Sequence, residues 1–340
     1  DTLPESEQEP VPGFAPPKIR GLYLTNPYET GDAFFKLLLT QRDKDALKAV
    51  VRNAPHPTTD SRVIANFNFF LERLTTPGTD IAAVCRGLDK LVVVDVKLTR
   101  GADDPQLVFE SMNATRKKLS QADLIRNFVL MDLPPSSQER LYEDYWFPME
   151  RKFKGENEHR FDEFVRHYLT LNNPTNQIPR LDEIYEAFKS FAYQQVADGV
   201  DREALVVDLS RHAGWFAAMA MGQEDDPRLG RLFDEIDGLA TVAYPFELHL
   251  YRDYAEQRLS PKEFIASLET VLSYLFRRAI CRIPTNSLNK TFATLASSID
   301  PNRYSESIAA RLLTLPDYRR FPTDEEFGAA LQSGDIYNMR

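Results

Sequence analysis

The residues best suited to chemistry form a polar group on one predicted helix. Asp123, Arg126 and Asn127 share a face, because residues three and four positions apart are neighbours on a helix surface. An arginine guanidinium can hold a phosphate with its planar fork of donors, and the amide of Asn113 could close a nucleotide pocket. The same residues also fit ordinary structure, with an asparagine that ends a helix and an Asp123–Arg126 ion pair. On spacing alone, the pattern favours the structural interpretation.

Two helices are predicted to position this group. Asp103, Asp104 and Pro105 form a helix-start signal, so a short helix is predicted from Gln106 to Met112. Ser120 and Asp123 form an acidic variant of the capping box, which predicts a second helix beginning at Gln121. The apolar face of that helix consists of Leu124, Ile125, Phe128 and Val129.

A β-branched run from Leu91 to Leu98 precedes these helices and predicts a largely buried strand. A lone strand leaves its backbone groups unpaired, which is costly when they are buried. Either residues outside this sequence complete a sheet, or the strand pairs with the segment Gly21 to Thr25. The proline-rich, acidic stretch Asp1 to Lys18 has no initiator methionine and suggests a fragment, which favours the first alternative.

The rest of the chain predicts helices only, so the expected fold is mainly α with one small β element. No fixed-period repeat is visible, which argues against a solenoid. The best-defined helix is predicted from Ser260, Pro261 and Glu263, a capping box with proline at the first helical position. Two of the predicted helices have alternative starts, Thr59 or Asp60 for the one that runs to Leu71 and Ser136 or Ser137 for the one that runs to Trp146. The others are Thr30–Leu38, Asp43–Val51, Ile81–Leu88, Phe161–Leu171, Leu181–Val196, Arg202–Met221, Pro227–Ala240, Pro261–Cys281, Ser287–Ser297, Tyr304–Leu313 and Asp324–Leu331.

Composition limits the classes of protein that fit. With 51 acidic and 41 basic residues, the 340-residue chain carries a net charge of -10, which speaks against coating nucleic acid by bulk electrostatics. No apolar run approaches the roughly 18 residues needed to span a bilayer, so no membrane partner is expected. The two cysteines, Cys85 and Cys281, have no CxxC spacing, and a reducing, cytoplasmic setting is expected.

No metal site is predicted. The five histidines are scattered without an HxxxH pattern, and His159, His167, His212 and His249 are interpreted as lacking carboxylate partners at ligand spacing. Trp215 is interpreted as a core residue. The sequence therefore offers no complete catalytic set.

Two basic groups could contact the phosphates of nucleic acid or nucleotide. For the first group a solvated loop is the favoured interpretation, because a short charge run is usually one. For the second group, complementarity to the helix dipole and packing against acidic neighbours explain the arginines equally well. The groups are Arg116, Lys117 and Lys118 in a predicted turn, and Arg277, Arg278 and Arg282 at the end of the helix that follows Ser260.

The stretch FESMNATRKKLSQADLIRNFVLM, residues 109–131, closely resembles a signature of the GmrSD-type, or SspE-like, family of bacterial modification-dependent restriction and antiphage endonucleases. In that family a phenylalanine-glutamate pair, a small residue and an asparagine precede L-S-x-x-D-L-I-R-N. The similarity continues in TGDAFFKLLLTQRDKDAL, residues 30–47, and in SYLFRRAICRIPTNSLNKTFATLA, residues 273–296. Several matches in the same order make the resemblance more specific than one short motif.

The resemblance implies a ParB-like α/β domain that hydrolyses a nucleoside triphosphate through a DGQQR motif, a helical middle, and a C-terminal HNH nuclease that holds a divalent metal. Residues 1–132 would be the last part of the ParB-like domain, and residues 133–340 the helical middle. Neither DGQQR nor an HNH constellation occurs in this sequence. Nucleotide-binding residues implied here are Glu110, Asn113, Asp123, Arg126 and Asn127.

Two functions remain open at this stage. In the first, the chain belongs to a nucleotide-dependent endonuclease that senses modified DNA, and it couples the sensing domain to the nuclease. In the second, it is a non-catalytic helical scaffold. Either protein could form a homo-oligomer. Since both catalytic centres of the family are missing, the 340 residues alone are expected to be inactive.

Overall fold

A computed structural model describes residues 9–39, 41–55, 61–92, 97–99, 108, 119–131, 133–173 and 178–333. The chain divides into two compact units, Asp1–Lys97 and Leu98–Arg340. The sequence placed a boundary between residues 132 and 133. The structure divides the chain earlier, because the helix that follows Ser120 packs into the core of the second unit.

The first unit is built from short helices. Ser61 begins one of them by accepting a hydrogen bond from the backbone of Val63, and Asp80 begins another by accepting from Ala83. Its helices are α1 (Pro16–Ile19), which continues into a π-helical turn (Arg20–Leu24), α2 (Gln41–Arg52), α3 (Arg62–Thr75) and α4 (Ile81–Asp89).

The predicted strand is wrong where the structure describes it. Leu91 and Val92 are 71% and 87% exposed and lie outside regular structure, whereas residues 93–96 lie outside the described residues. The proposed partner segment is also wrong, because Arg20–Leu24 is helical. Within the described part of the chain, the β structure consists of one antiparallel bridge between Thr25 and Phe35. That bridge also ends the helix predicted from Thr30, of which a single 3-10 turn forms.

The regular secondary structure described in the second unit is all helical, as predicted. Its elements are α5 (Gln121–Leu130), α6 (Pro135–Leu141) with a π-helical turn (Tyr142–Trp146), α7 (Phe147–Lys152), α8 (Arg160–Asn172), α9 (Ile184–Ala197), α10 (Arg202–Ala220), α11 (Pro227–Asp237), α12 (Tyr244–Ala255), α13 (Pro261–Ile280), α14 (Leu288–Leu295), α15 (Tyr304–Leu313) and α16 (Asp324–Ser333).

The longest helix of this unit that the sequence did not predict is α12. α12 lies against α8, α10 and α14, so it is covered on several sides. Its buried residues include the consecutive Tyr244, Pro245, Phe246 and Glu247, which point to different sides of the helix and so do not form one apolar stripe. A helix buried on most of its surface lacks the amphipathic period that reveals a helix in a sequence.

Candidate functional site

α5 begins as the sequence predicts. The Ser120 hydroxyl accepts a hydrogen bond from the Asp123 backbone N–H at 3.1 Å, and it donates to the Asp123 carboxylate at 2.8 Å. Both bonds stabilise the first turn, where backbone donors have no intrahelical partner. The carboxylate also suits the positive end of the helix dipole. Asp123 therefore already makes hydrogen bonds within its own helix turn in the absence of a ligand.

Arg126 lies between two carboxylates. Its Nη2 contacts Asp123 at 2.7 Å, and its Nη1 contacts Glu150 on α7 at 3.1 Å. The i,i+3 pair with Asp123 confirms the structural interpretation of this residue. Glu150 was not anticipated, since nothing local in the sequence relates residues 24 positions apart. With both terminal nitrogens paired, this arrangement does not present a free guanidinium fork to a phosphate.

Of the other predicted nucleotide-binding residues, the structure describes some and not others. Asn127 is half-buried beside Arg126, and Leu124 is partly buried against the core. Glu110 and Asn113 lie outside the described residues, as do Phe109 and the predicted helix Gln106–Met112 apart from Val108. A cleft shared by Asn113, Arg126 and Asn127 stays a prediction. The basic turn of Arg116, Lys117 and Lys118 also lies outside the described residues.

The three arginines near the end of α13 have different environments. Arg278 is 2% exposed and donates to backbone carbonyl oxygens, so its predicted contact with a DNA backbone does not fit the structure. Arg277 pairs with Asp324 at 2.6 Å, and its guanidinium lies 5.1 Å from the centre of the Phe327 ring. Arg282 is exposed and follows α13 with φ of 53°. Of the three, Arg282 alone is presented to solvent.

The expectation that the histidines lack carboxylate partners is wrong for three of them. His167, His212 and His249 each lie within 4 Å of a carboxylate one turn away on the same helix. Burial lowers the pKa of His249 to about 4; Asp253 opposes that shift, and two nearby arginines reinforce it. Burial likewise lowers the pKa of His167. These two side chains are neutral at neutral pH, and they pack as core residues.

The structure contains a buried carboxyl group, of a kind often found at active sites, that the sequence did not reveal. Glu247 on α12 is 1% exposed, and its Oε1 has no hydrogen-bond partner among the described residues. Burial, assisted by the charge of Asp237, raises the pKa of Glu247 to about 8. The group is therefore largely protonated at neutral pH. Because Glu247 lies among the buried residues of α12, we assign it to the core.

The described residues contain neither a metal-binding cluster nor a membrane-spanning helix. There, no group of three or more histidine, cysteine, aspartate or glutamate side chains is arranged to hold a metal ion. Likewise, none of the helices in the described ranges combines the length and apolar character needed to cross a membrane.

Comparison with known proteins does not assign a family. Neither the protein-family models nor the curated protein sequences that were searched give a significant match to this chain.

Proposed function

We propose that this chain is part of a nucleotide-dependent, DNA-modification-sensing restriction endonuclease, in which it links the sensing domain to the nuclease. The resemblance of residues 109–131 to the GmrSD-type signature supports the assignment. The structural observation that supports it most is the packing of α5. Its residues Ile125, Phe128 and Val129 are buried in the core of the second unit, and the helix directly follows the segment that contains Glu110 and Asn113.

The contacts of α5 suit a coupling element. Gln121 accepts a hydrogen bond from the backbone N–H of Tyr185 at 2.8 Å, which ties the start of α5 to the start of α9. The Phe128 ring lies edge-on to Tyr185 and Phe188 on α9. Arg126 adds the link to α7 through its ion pair. A ligand that shifts α5 would therefore shift its contacts with both neighbouring helices.

The proposal includes partners that the family resemblance implies. A nucleoside triphosphate would bind mainly to a ParB-like domain, to which Glu110, Asn113, Asp123, Arg126 and Asn127 would contribute. Modified DNA would be the substrate, and a divalent metal would act in the HNH domain. Arg116, Lys117, Lys118 and the exposed Arg282 would contact DNA, and the protein would act in the bacterial cytoplasm.

Nucleotide binding by the full-length parent protein tests the proposal. Asn113→Ala and Arg126→Ala are expected to weaken binding about ten- to a hundredfold in calorimetry, because each removes a polar contact worth roughly 1.5 to 3 kcal/mol. Arg140→Ala is the matched control, since Arg140 makes an exposed ion pair with Glu203 at 2.6 Å. Unchanged affinity in both test variants would show that the signature is only a folding element.

Glu150→Gln sharpens the experiment. If Arg126 must exchange its contact with Glu150 for a phosphate, weakening that contact should keep or increase nucleotide affinity while Arg126→Ala reduces it. Equal losses in both variants would show that the ion pair acts on binding only through the fold.

A DNA-cleavage assay provides a separate check, because cleavage by the isolated 340 residues would contradict the proposed division of activities.

A helical scaffold is the second candidate function. The observation that favours it is the apolar surface of α3, where Phe69 and Phe70 are 48% and 60% exposed. Such surfaces are typical of sites where another protein binds. A reading frame without DGQQR upstream and HNH downstream would favour this candidate.

A further inference from the structure

A surface cleft of about 410 Å³ lies where α14 begins, beside the short 3-10 turn Asp317–Arg319. We call it the Ser287 cleft. None of its residues belongs to the predicted nucleotide site or to the predicted DNA-binding groups. It is lined by Pro284, Asn286, Ser287, Lys290, Tyr318 and Arg319.

The walls of the Ser287 cleft are held together from below by the buried Arg278. Its guanidinium donates to the carbonyl oxygen of Pro284 at 2.7 Å and to that of Tyr318 at 2.9 Å. The Tyr274 hydroxyl donates to the carbonyl oxygen of Arg319, also at 2.9 Å. These bonds fix the backbone on both sides of the cleft, so a ligand would meet a largely preformed site.

Two cationic side chains line the Ser287 cleft. Lys290 is exposed, and the half-buried Arg319 donates from Nε to the Thr291 hydroxyl at 3.2 Å, which holds its guanidinium against α14. Among the described residues, no carboxylate lies within ion-pair distance of either cation. The carboxylates of Asp324 and Glu326, which follow Arg319 in the chain, are paired with other arginines, at 2.6 and 3.0 Å. The residues that line the cleft thus include two cations and no carboxylate, although the chain is acidic overall.

Ser287 supplies an unsatisfied hydroxyl at the same place. Its residue exposure is 8%, and its Oγ has no hydrogen-bond partner among the described residues. It immediately precedes α14 but has helical dihedral angles and makes no capping bond, so the N–H groups of Asn289 and Lys290 receive no acceptor from it. Helix N-termini with free N–H groups favour anions.

We propose that the Ser287 cleft binds a nucleotide phosphate, with the ring of Tyr318 stacking on the base. The start of α14, Lys290 and Arg319 would hold the phosphate, and the buried Ser287 hydroxyl would reach it by rotating about its Cα–Cβ bond. Tyr318 is 58% exposed beside them. A free mononucleotide and a nucleic-acid strand share this chemistry. The proposal is independent of the proposed function, because it rests on the side chains of the cleft itself.

Binding by the full 340-residue chain tests the proposal with two probes: a fluorescein-labelled single-stranded oligonucleotide read by anisotropy, and GMP read by calorimetry. Ser287→Ala and Lys290→Ala are the test variants. Lys262→Ala is the charge-matched control, since Lys262 is exposed at the start of α13, about 24 Å along that helix from Arg278. Thermal unfolding of each variant checks that the fold is retained.

Lys290→Ala is expected to weaken binding about three- to tenfold and to lower the salt dependence of oligonucleotide affinity by about 0.7 in the log–log slope, while Lys262→Ala changes neither. Tyr318→Leu keeps the backbone carbonyl that Arg278 needs, and it is expected to weaken binding through lost stacking. If the variants lose affinity for the oligonucleotide alone, the ligand is a nucleic-acid strand. If they lose affinity for GMP, the ligand is a mononucleotide.

Three results would overturn the proposal. The first is that the parent chain binds neither probe, and the second is that Ser287→Ala and Lys290→Ala bind as tightly as the parent. The third is that Lys262→Ala weakens binding as much as Lys290→Ala, which would mean that only total charge matters.

Discussion

The Arg126 guanidinium joins α5 to α7: its Nη2 contacts Asp123 on its own helix, and its Nη1 contacts Glu150 on the other. The side chains of Arg126 and Glu150 are 26% and 29% exposed, so water only partly screens their ion pair. This places the pair between a surface contact and a buried one.

A double-mutant cycle measures how much that contact stabilises the fold. Arg126→Ala, Glu150→Gln and the double variant are expected to give a coupling of about 0.5 to 1 kcal/mol in urea unfolding. The value should fall at high salt, because screening weakens partly exposed pairs. A coupling of zero would mean that the pair orients the helices without stabilising them.

The Ser120 cap gives a second prediction. Ser120→Ala removes the acceptor for the Asp123 N–H and is expected to cost about 1 kcal/mol of unfolding free energy. Ser136→Ala is the control, since Ser136 is exposed in the first turn of α6 and does not cap it. Equal effects of the two substitutions would contradict the role of Ser120 in beginning α5.

The structural elements predicted best are those whose signal is local. The caps at Ser120 and Ser260 each involve residues three positions apart, and the structure confirms both of them. Even so, the Glu263 carboxylate accepts from the Ser305 backbone rather than completing its own capping box. The local sequence pattern thus identified where α13 begins, whereas a tertiary contact determined what the Glu263 side chain binds.

The failures have a common physical cause, which is that burial depends on distant residues. The run after Leu91 has strand propensity, but propensity is weak evidence when the described residues offer no partner strand. α12 was missed because several helices cover it, and the pairing of Arg126 with Glu150 is set by how α5 meets α7. The environments of Arg277 and Arg278 likewise follow from the residues 318–327, which sequence spacing does not relate to α13.

Arg278 carries a third prediction. Arg278→Met leaves the carbonyl oxygens of Pro284, Tyr318 and Arg320 without this donor, so it is expected to cost about 3 kcal/mol or more of unfolding free energy. Arg282→Gly is the control, because Arg282 has positive φ that glycine adopts without strain, and its stability should equal or exceed that of the parent by up to about 1 kcal/mol. Chemical unfolding of both variants provides the comparison.

A loss in Arg278→Met no larger than in Arg282→Gly would contradict the assignment of Arg278 as the residue that fixes these loops.

Glu247 makes the stability of the chain depend on pH in a defined direction. Its folded-state pKa is raised from 4.5 to about 8, so above pH 4.5 the unfolded chain releases a proton that the folded chain retains. Its contribution to stability therefore falls as pH rises from 4.5 and levels off above about 8. At pH 7 the expected cost is roughly 3 kcal/mol, since one unit of pKa difference corresponds to about 1.4 kcal/mol.

Glu247→Gln removes this titration while keeping the size of the side chain. The variant is expected to be more stable than the parent at pH 8 and to lose most of that advantage at pH 5, where the parent carboxyl is protonated in the folded state. Glu235→Gln, at an exposed position on α11, should change stability little at either pH. Urea unfolding at several pH values measures the difference. An advantage of Glu247→Gln that is the same at pH 5 and pH 8 would show that this carboxyl is not held protonated by burial.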